Sequence, residues 1–414
     1  MNNWPTAQLG EHIKIKHGFA FQGKYFGDRG DYIVLTPGNF LESGGFKPKS
    51  GIEKFYTDTP PPEFVLRRGD LVIAMTEQAE GLLGSSAVIP TDATYLHNQR
   101  IGLVEVCSGE VHRRFLYYLF NTRAVRDQIK ATATGSKVRH TAPARVEAVA
   151  VSLPPLSTQR KIAAVLSAYD NLIDNNTRRI KLLEEMAQRV YREWFVDFRY
   201  PGHESMRLVD SELGPIPESW KIVPLFDVAR VTFGYPFKSA LFNEVNGLPV
   251  IRIRDILNGY SSTLTTEPAP AEVLVRNGDI LIGMDGDFHM ACWSAGDALL
   301  NQRVTRIRPA SERISRLGLF NALRQPIAEW NSAIVGTTVA HLGKSHLERM
   351  KLVIPDSATA NRIRSLFDPL LEEEIVLRQI TRNLHDTRDL LLPRLISGEI
   401  DVDDLDIAIE DAVA

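Results

Sequence analysis

The chain has 414 residues, is 44% hydrophobic, and carries 48 Lys+Arg against 51 Asp+Glu for a net charge of −3. That length accommodates two or three cores, and the near-neutral balance excludes a nucleic-acid binder that works through its whole-chain field, so such contacts must come from local basic patches or from partners. No apolar run reaches the ~20 residues of a membrane span and the N-terminus lacks a signal peptide's basic and apolar regions; Cys107 and Cys292 stand apart without metal-ligand spacing, so a cytoplasmic protein with no membrane contact and no bound metal is expected.

Residues 1–154 read as a β-rich unit. Apolar runs behind turn residues mark strands over 32–35, over LVIAM after Gly69-Asp70, and over 101–104 and 149–151. Residues 115–130 read as one short helix. After Pro154-Pro155, residues 156–198 contain neither Pro nor Gly, and Ser157 or Thr158 would cap a helix there. Ile162, Tyr169, Asn176, Leu183 and Val190 recur in sevens, as do Leu166, Ile173, Ile180, Ala187 and Trp194. Two such series are the a/d seam of a coiled coil, and a polar seam residue such as Asn176 fixes register. At 1.5 Å per residue this central helix, residues 155–199, is roughly 60 Å long and needs a second rod beside it.

Residues 200–217 are polar and punctuated by Pro and Gly, a linker into a second β-rich unit that ends at 355. Strands are expected there over 250–253 and over ILIGM after Gly278-Asp279, with a helix over 317–330. The second rod, residues 356–397, carries Ile363, Leu370, Leu377, Leu384 and Leu391 in sevens. An acidic tail, 398–414, follows; residues 356–414 hold 14 Asp+Glu against 6 Lys+Arg.

The landmarks repeat in order. Trp4, Leu9, Gly18, Phe21 and Phe26 return 216 residues later as Trp220, Leu225, Gly234, Phe237 and Phe242. The stretch RRGDLVIAM at 67–75 returns as RNGDILIGM at an offset of 209, and Asn98-Gln99-Arg100 as Asn301-Gln302-Arg303 at 203. Gly135, Val138, His140 and Pro154 match Gly336, Val339, His341 and Pro355 at 201, the offset that also carries Ile162 onto Ile363. A falling offset with preserved order is a duplication whose second copy has shorter loops. It predicts an α+β chain with a pseudo-twofold internal repeat, in which two β-rich domains alternate with two long helices paired as an antiparallel coiled coil.

Catalytic sets do not stand out. There is no Asn/Asp-Pro-Pro-aromatic tetrapeptide for amino methylation, no glycine-rich nucleotide loop, and no His-Glu-x-x-His or paired-Cys site. The recurrent His140 and His341 fit a structural role. This pattern favours a recognition protein or a scaffold over a self-contained methyltransferase or nuclease.

Two β-rich units each opening W-x(4)-L, each with a Gly-Asp strand and an Asn-Gln-Arg, alternate with long helices; the first begins LPPLSTQRKIAAVLSAYD, and the last segment reads LLLPRLISGEIDV. Over essentially its whole length the chain resembles the specificity subunit of type I restriction–modification systems. The second helix departs from that pattern, beginning IPDSATANRIRSLF without the Pro-Pro and the Gln. The resemblance implies a non-catalytic subunit whose two target recognition domains each read one half of a split site in double-stranded DNA, with the rods as spacer. It implies partners as well: two methyltransferase subunits using S-adenosylmethionine and two restriction subunits using ATP and Mg²⁺, with no cofactor in this chain.

Bases are read by polar side chains from loops, and phosphates by Lys and Arg. In the first unit the candidates are Thr76, Glu77 and Gln78 behind the Gly-Asp strand, and Ser136, Lys137 and Arg139 in the loop GSKVRH. In the second they are Asp285 and Asp287, beside Gly286, with Thr337, Thr338 and His341. The alternative is that these are ordinary turns. Domains that read different half-sites should differ at base-reading positions, so the recurrent Asn-Gln-Arg suits a structural or phosphate role.

Overall fold

The structure, a computed structural model, describes residues 4–49, 51–78, 81–92, 94–333 and 341–407. Two compact units emerge: one holds the residues up to Asn171 together with those from His385 onward, the other Leu172–Leu384. The cuts fall inside both rods rather than at their ends, so each unit owns one β-rich domain and part of each long helix.

In the first unit a four-stranded antiparallel sheet runs Ile13–His17, Ile101–Val106, Leu71–Ala74, Ser86–Val88. Every residue of Leu71–Ala74 is buried because both faces of this strand are covered. Leu71 and Ile73 face a core that includes Phe115, Leu116 and Ile129, while Val72 and Ala74 face another built on Leu35, Phe40 and Ile89. A second sheet of short strands pairs Tyr32–Val34 with Tyr95–Leu96 in parallel. Where one helix was expected over 115–130 there are two, Arg113–Phe120 and Arg123–Ala131. The break falls at Thr122, whose hydroxyl oxygen accepts from the Val125 amide and starts the second helix.

The second unit repeats the plan. Its antiparallel sheet runs Ala229–Phe233, Val304–Pro309, Ile280–Gly283, Met290–Cys292, and its other sheet pairs Leu248–Ile251 in parallel with Ala298–Leu300. The fully buried strand again feeds two cores, Ile280 and Ile282 on one side and Leu281 on the other. The expected linker carries a small hairpin, Leu208–Val209 against Ile216–Pro217.

The repeated landmarks now have physical reasons. A Cβ on Gly18 would sit 2.1 Å from the Asn98 carbonyl oxygen, and one on Gly234 only 1.8 Å from that of Asn301. Both glycines are required because two backbones touch. In each Gly-Asp turn the carboxylate takes the amide three residues back, Arg67 N to Asp70 Oδ2 at 2.8 Å and Arg276 N to Asp279 Oδ2 at 2.7 Å. The glycines before them are left-handed, with φ of 88° at Gly69 and 81° at Gly278.

The first rod is α-helical over Leu156–Tyr191 and ends in a π turn, Arg192–Val196, short of the expected residue 199. The second spans Ser357–Ile396 without a break, Pro369 and Pro393 included. Within the first unit Ile162 and Leu166 share a core with Leu395, and Arg388 Nη1 donates to Asp170 Oδ1 at 2.9 Å. Within the second unit Ala187 and Trp194 pack with Ile363, Phe367 and Leu371, Arg179 pairs with Glu373, and Arg378 Nη2 meets Glu184 Oε1 at 2.6 Å. In the first unit residue numbers fall along the second rod as they rise along the first, so the pairing there is antiparallel.

Of the expected seam residues, Ile162, Leu166, Ile173, Ile363 and Leu377 are buried, whereas Tyr169, Leu183, Leu370, Leu384 and Leu391 are half-buried. The second rod buries Phe367, Leu371 and Glu374 between Ile363 and Leu377, so its stripe drifts off a strict seven-residue repeat, as an undistorted 3.6-residue helix does. The helix starts also differ from expectation. Thr158 does not cap its own helix; its hydroxyl donates to the Asp403 carboxylate of the tail, and Lys161 donates to the Asp403 and Leu405 carbonyls. The second rod has a conventional cap, with the Ala358 and Thr359 amides donating to Asp356 Oδ1 at 3.0 Å.

Candidate nucleic-acid interface

Three segments converge where the buried Gly-Asp strand surfaces. In the first unit Met75 ends the strand; its amide donates to the Arg100 carbonyl at 3.0 Å and its carbonyl accepts from the Thr141 amide at 2.9 Å. In the second unit Met284 does the same with Arg303 at 2.9 Å and Leu342 at 2.7 Å. The next residues pair with the loop that ends at the recurrent histidine: Thr76 with His140 and Glu77 with Arg139 in one unit, Asp285 with His341 in the other. The strand exit, the Asn-Gln-Arg turn and the histidine loop therefore form one edge in each domain.

On the first edge Gln78, Gln99, Arg100, Arg139 and His140 are exposed and Thr76 is half-buried. Ser136 and Lys137 are exposed at the tip of a hairpin closed by Thr134 and His140, which exchange amide–carbonyl bonds of 2.9 and 2.8 Å. Glu77 has to be corrected as a base-reading candidate, because it is only 3% exposed. Its Oε2 accepts the amides of Gly81, Leu82 and Leu83 at 3.1, 3.0 and 2.8 Å, and Arg139 lies 3.6 Å from Oε1. Arg126, 8% exposed, clamps the same loop by donating to the Glu42 and Gly81 carbonyls. Burial pulls its guanidinium below the usual arginine value, while the Glu77 and Glu42 carboxylates oppose that shift. Gly81, Leu82 and Leu83 are thus held from inside, which suits a reading surface beside them.

The second edge carries different chemistry on the same backbone. Asp285 is half-buried; its Oδ1 lies 2.7 Å from His341 Nδ1 and its Oδ2 is 3.3 Å from Arg303 Nε. Asp287 is exposed beside it. Thr337 and Thr338 lie outside the described residues.

Sequence reasoning brought the right loops together and gave the recurrent Asn-Gln-Arg a structural or phosphate role, but it passed over Arg126. The recurrence signalled the place of Arg100 and Arg303 without showing that their side chains face outward. Among the described residues no cluster of His, Cys, Asp or Glu is arranged to hold a metal, and no helix is long and apolar enough to cross a membrane.

Comparison with known proteins bears on this edge. The family described as the type I restriction modification DNA specificity domain matches residues 1–185 and 217–384, one match per copy. The MjaIX specificity subunit of a type I restriction enzyme from Methanocaldococcus jannaschii is 26% identical over 309 residues, 70% of each chain. The MjaVIII specificity subunit of the same organism is 26% identical over 425 residues, covering 97% of this chain and 94% of that one. The fold is also similar to the crystal structure of a type I restriction-modification system S subunit from M. genitalium, with a TM-score of 0.59, 15% identity, and coverage of 95% and 97%.

Proposed function

The chain belongs to the family of type I restriction–modification DNA specificity proteins, and on that premise we propose that each of its two domains reads one half of a bipartite DNA site. It is a recognition polypeptide without catalysis of its own. The observation that carries the reading is the edge built twice from the same three backbone segments, with Thr76, Gln78 and Arg139 on one copy and Asp285 and Asp287 on the other. A shared scaffold with divergent exposed polar groups is what two readers of different base sequences require. The arginine-rich first edge suits guanine N7/O6 or phosphate, and the aspartates of the second suit amino groups of cytosine or adenine.

The paired rods act as a ruler. Their length fixes how far apart the readers engage the duplex, hence the number of unread base pairs between half-sites. Apolar side chains left exposed on the rods, among them Leu182, Met186, Val376 and Leu390, offer docking faces for partner helices. Those partners are two methyltransferase subunits, which bring S-adenosylmethionine and modify adenine, and two restriction subunits, which bring ATP and Mg²⁺. Mapping methylated adenines in cells that express the chain with its methyltransferase partner tests the proposal. The expected map is a motif of two short specified blocks separated by an unspecified gap of constant length. A single continuous block, or methylation that ignores sequence, contradicts it.

A further inference from the structure

The Asn-Gln-Arg turn recurs, yet its arginine stands in opposite electrostatic states in the two domains. Arg100 and Arg303 are equivalent: each gives its carbonyl to the amide of the methionine that ends the buried strand. Both side chains are exposed. The residue after that methionine differs, Thr76 in one domain and Asp285 in the other. Asp285 takes the Arg303 guanidinium at 3.3 Å and the His341 ring at 2.7 Å. Thr76 has no charge to offer, and Arg100 has no carboxylate partner among the described residues. Glu77, the next residue, is turned inward onto three loop amides and Arg139.

Resting on the DNA-reading proposal above, we propose that the residue at this strand exit is a charge switch. It leaves Arg100 free to bind a DNA phosphate and holds Arg303 neutralised by Asp285. The first reader then supplies more of the salt-sensitive grip, and the second discriminates with less help from the backbone. The physical basis is counterion release. Each phosphate neutralised by a cation contributes a slope of about 0.9 to the fall of log K with log salt. An arginine already paired with a carboxylate brings no net charge and must break that pair before it can contribute.

The test measures binding of the full chain, assembled with its methyltransferase subunits, to a duplex carrying the mapped site, across a fourfold range of KCl. Arg100→Ala should make the slope shallower by about 0.9, so that the loss of affinity on raising the salt is about threefold smaller than in the parent. Arg303→Ala should leave the slope unchanged. Asp285→Asn should steepen it by about 0.9 by releasing Arg303, and the double variant Asp285→Asn/Arg303→Ala should return it to the parent value. That return separates a freed arginine from a distorted loop. Equal flattening by the two arginine variants, or an unchanged slope in Asp285→Asn, overturns the switch while leaving sequence recognition intact. A parent complex with no sequence-dependent binding overturns the recognition proposal and this inference together.

Discussion

The two β-rich domains differ most where they are exposed and least where backbone meets backbone. Gly18 and Gly234 lie against the same carbonyl, the Gly-Asp turns make the same bond, and Met75 and Met284 join the same three segments. Around these constants the residue at the strand exit changes from the neutral Thr76 to the charged Asp285, while the histidine of the adjoining loop, His140 or His341, recurs. The difference teaches that duplication preserved contacts in which a displaced atom costs packing, and released positions that meet only solvent or a partner. The interiors also diverged in one respect. His97 is fully buried in the first domain, where the repeat offset places Leu300 in the second.

The most damaging way to break the comparison is to attack what each unit shares with the rods. Leu166→Asp in the first unit and Phe367→Asp in the second place a charge where the native side chain is fully buried. Each should cost about 4 kcal/mol or more, seen as lost hydrogen-exchange protection in its own unit. Leu183→Asp and Leu384→Asp, at half-buried seam positions, should cost roughly half that by the same measurement.

Next in size are the glycine contacts. Gly18→Ala and Gly234→Ala must each move a backbone carbonyl, at about 2–3 kcal/mol. Exchange protection should fall only in the domain that carries the substitution, and a matched loss from the two variants would confirm that the close approach is one device used twice.

Acid sharpens the contrast. Burial pushes the His97 imidazole down to about 4, against its bond to the Ile101 carbonyl at 2.9 Å, which favours the charged form. The stability this neutral ring allows is complete above its unfolded value of about 6.5 and declines as pH falls toward 4, where the deficit is about 3 kcal/mol at most. Exchange measured from pH 7 to about 4.5 should therefore loosen the first domain before the second, and His97→Leu should remove that order.

The smallest effect contrasts the two helix starts. Burial pushes the Asp356 carboxyl up, but hydrogen bonds from the Thr359 amide and hydroxyl, the Ser219 hydroxyl and the Ala358 amide outweigh it and hold it below the ordinary carboxylate value. Its contribution is present above about pH 4 and lost as pH falls through the depressed value. Asp356→Ala should cost about 1 kcal/mol in urea unfolding at neutral pH. Asp403→Ala removes the acceptor of the Thr158 hydroxyl and should loosen the start of the first rod by about 1 kcal/mol.

Much of this architecture was legible because duplication and heptad spacing are properties of order along the chain. Trp4 with Trp220 and Ile162 with Ile363 announced two copies, and the apolar sevens announced the rods. What stayed hidden depends on three-dimensional proximity. Asp403 reaches Thr158 from 245 residues away, and no local signal announces a contact of that kind. Glu77 looked like a loop acid available to DNA until three amides were seen to close on it. Arg126 sits inside a helix, where its spacing says only that it is polar. The candidate edge was half legible, its loops found by recurrence and the roles of their side chains decided by packing.

The central claim is that two independent readers sit on one ruler, and exchanging a reader tests it most directly. Residues 1–154 would be replaced by the matching domain of a relative of known specificity, and methylated adenines mapped in cells supplying the methyltransferase partner. The account predicts a new sequence in one half-site, with the other half-site and the gap between them unchanged. A change in both half-sites, or in the length of the gap, would contradict it.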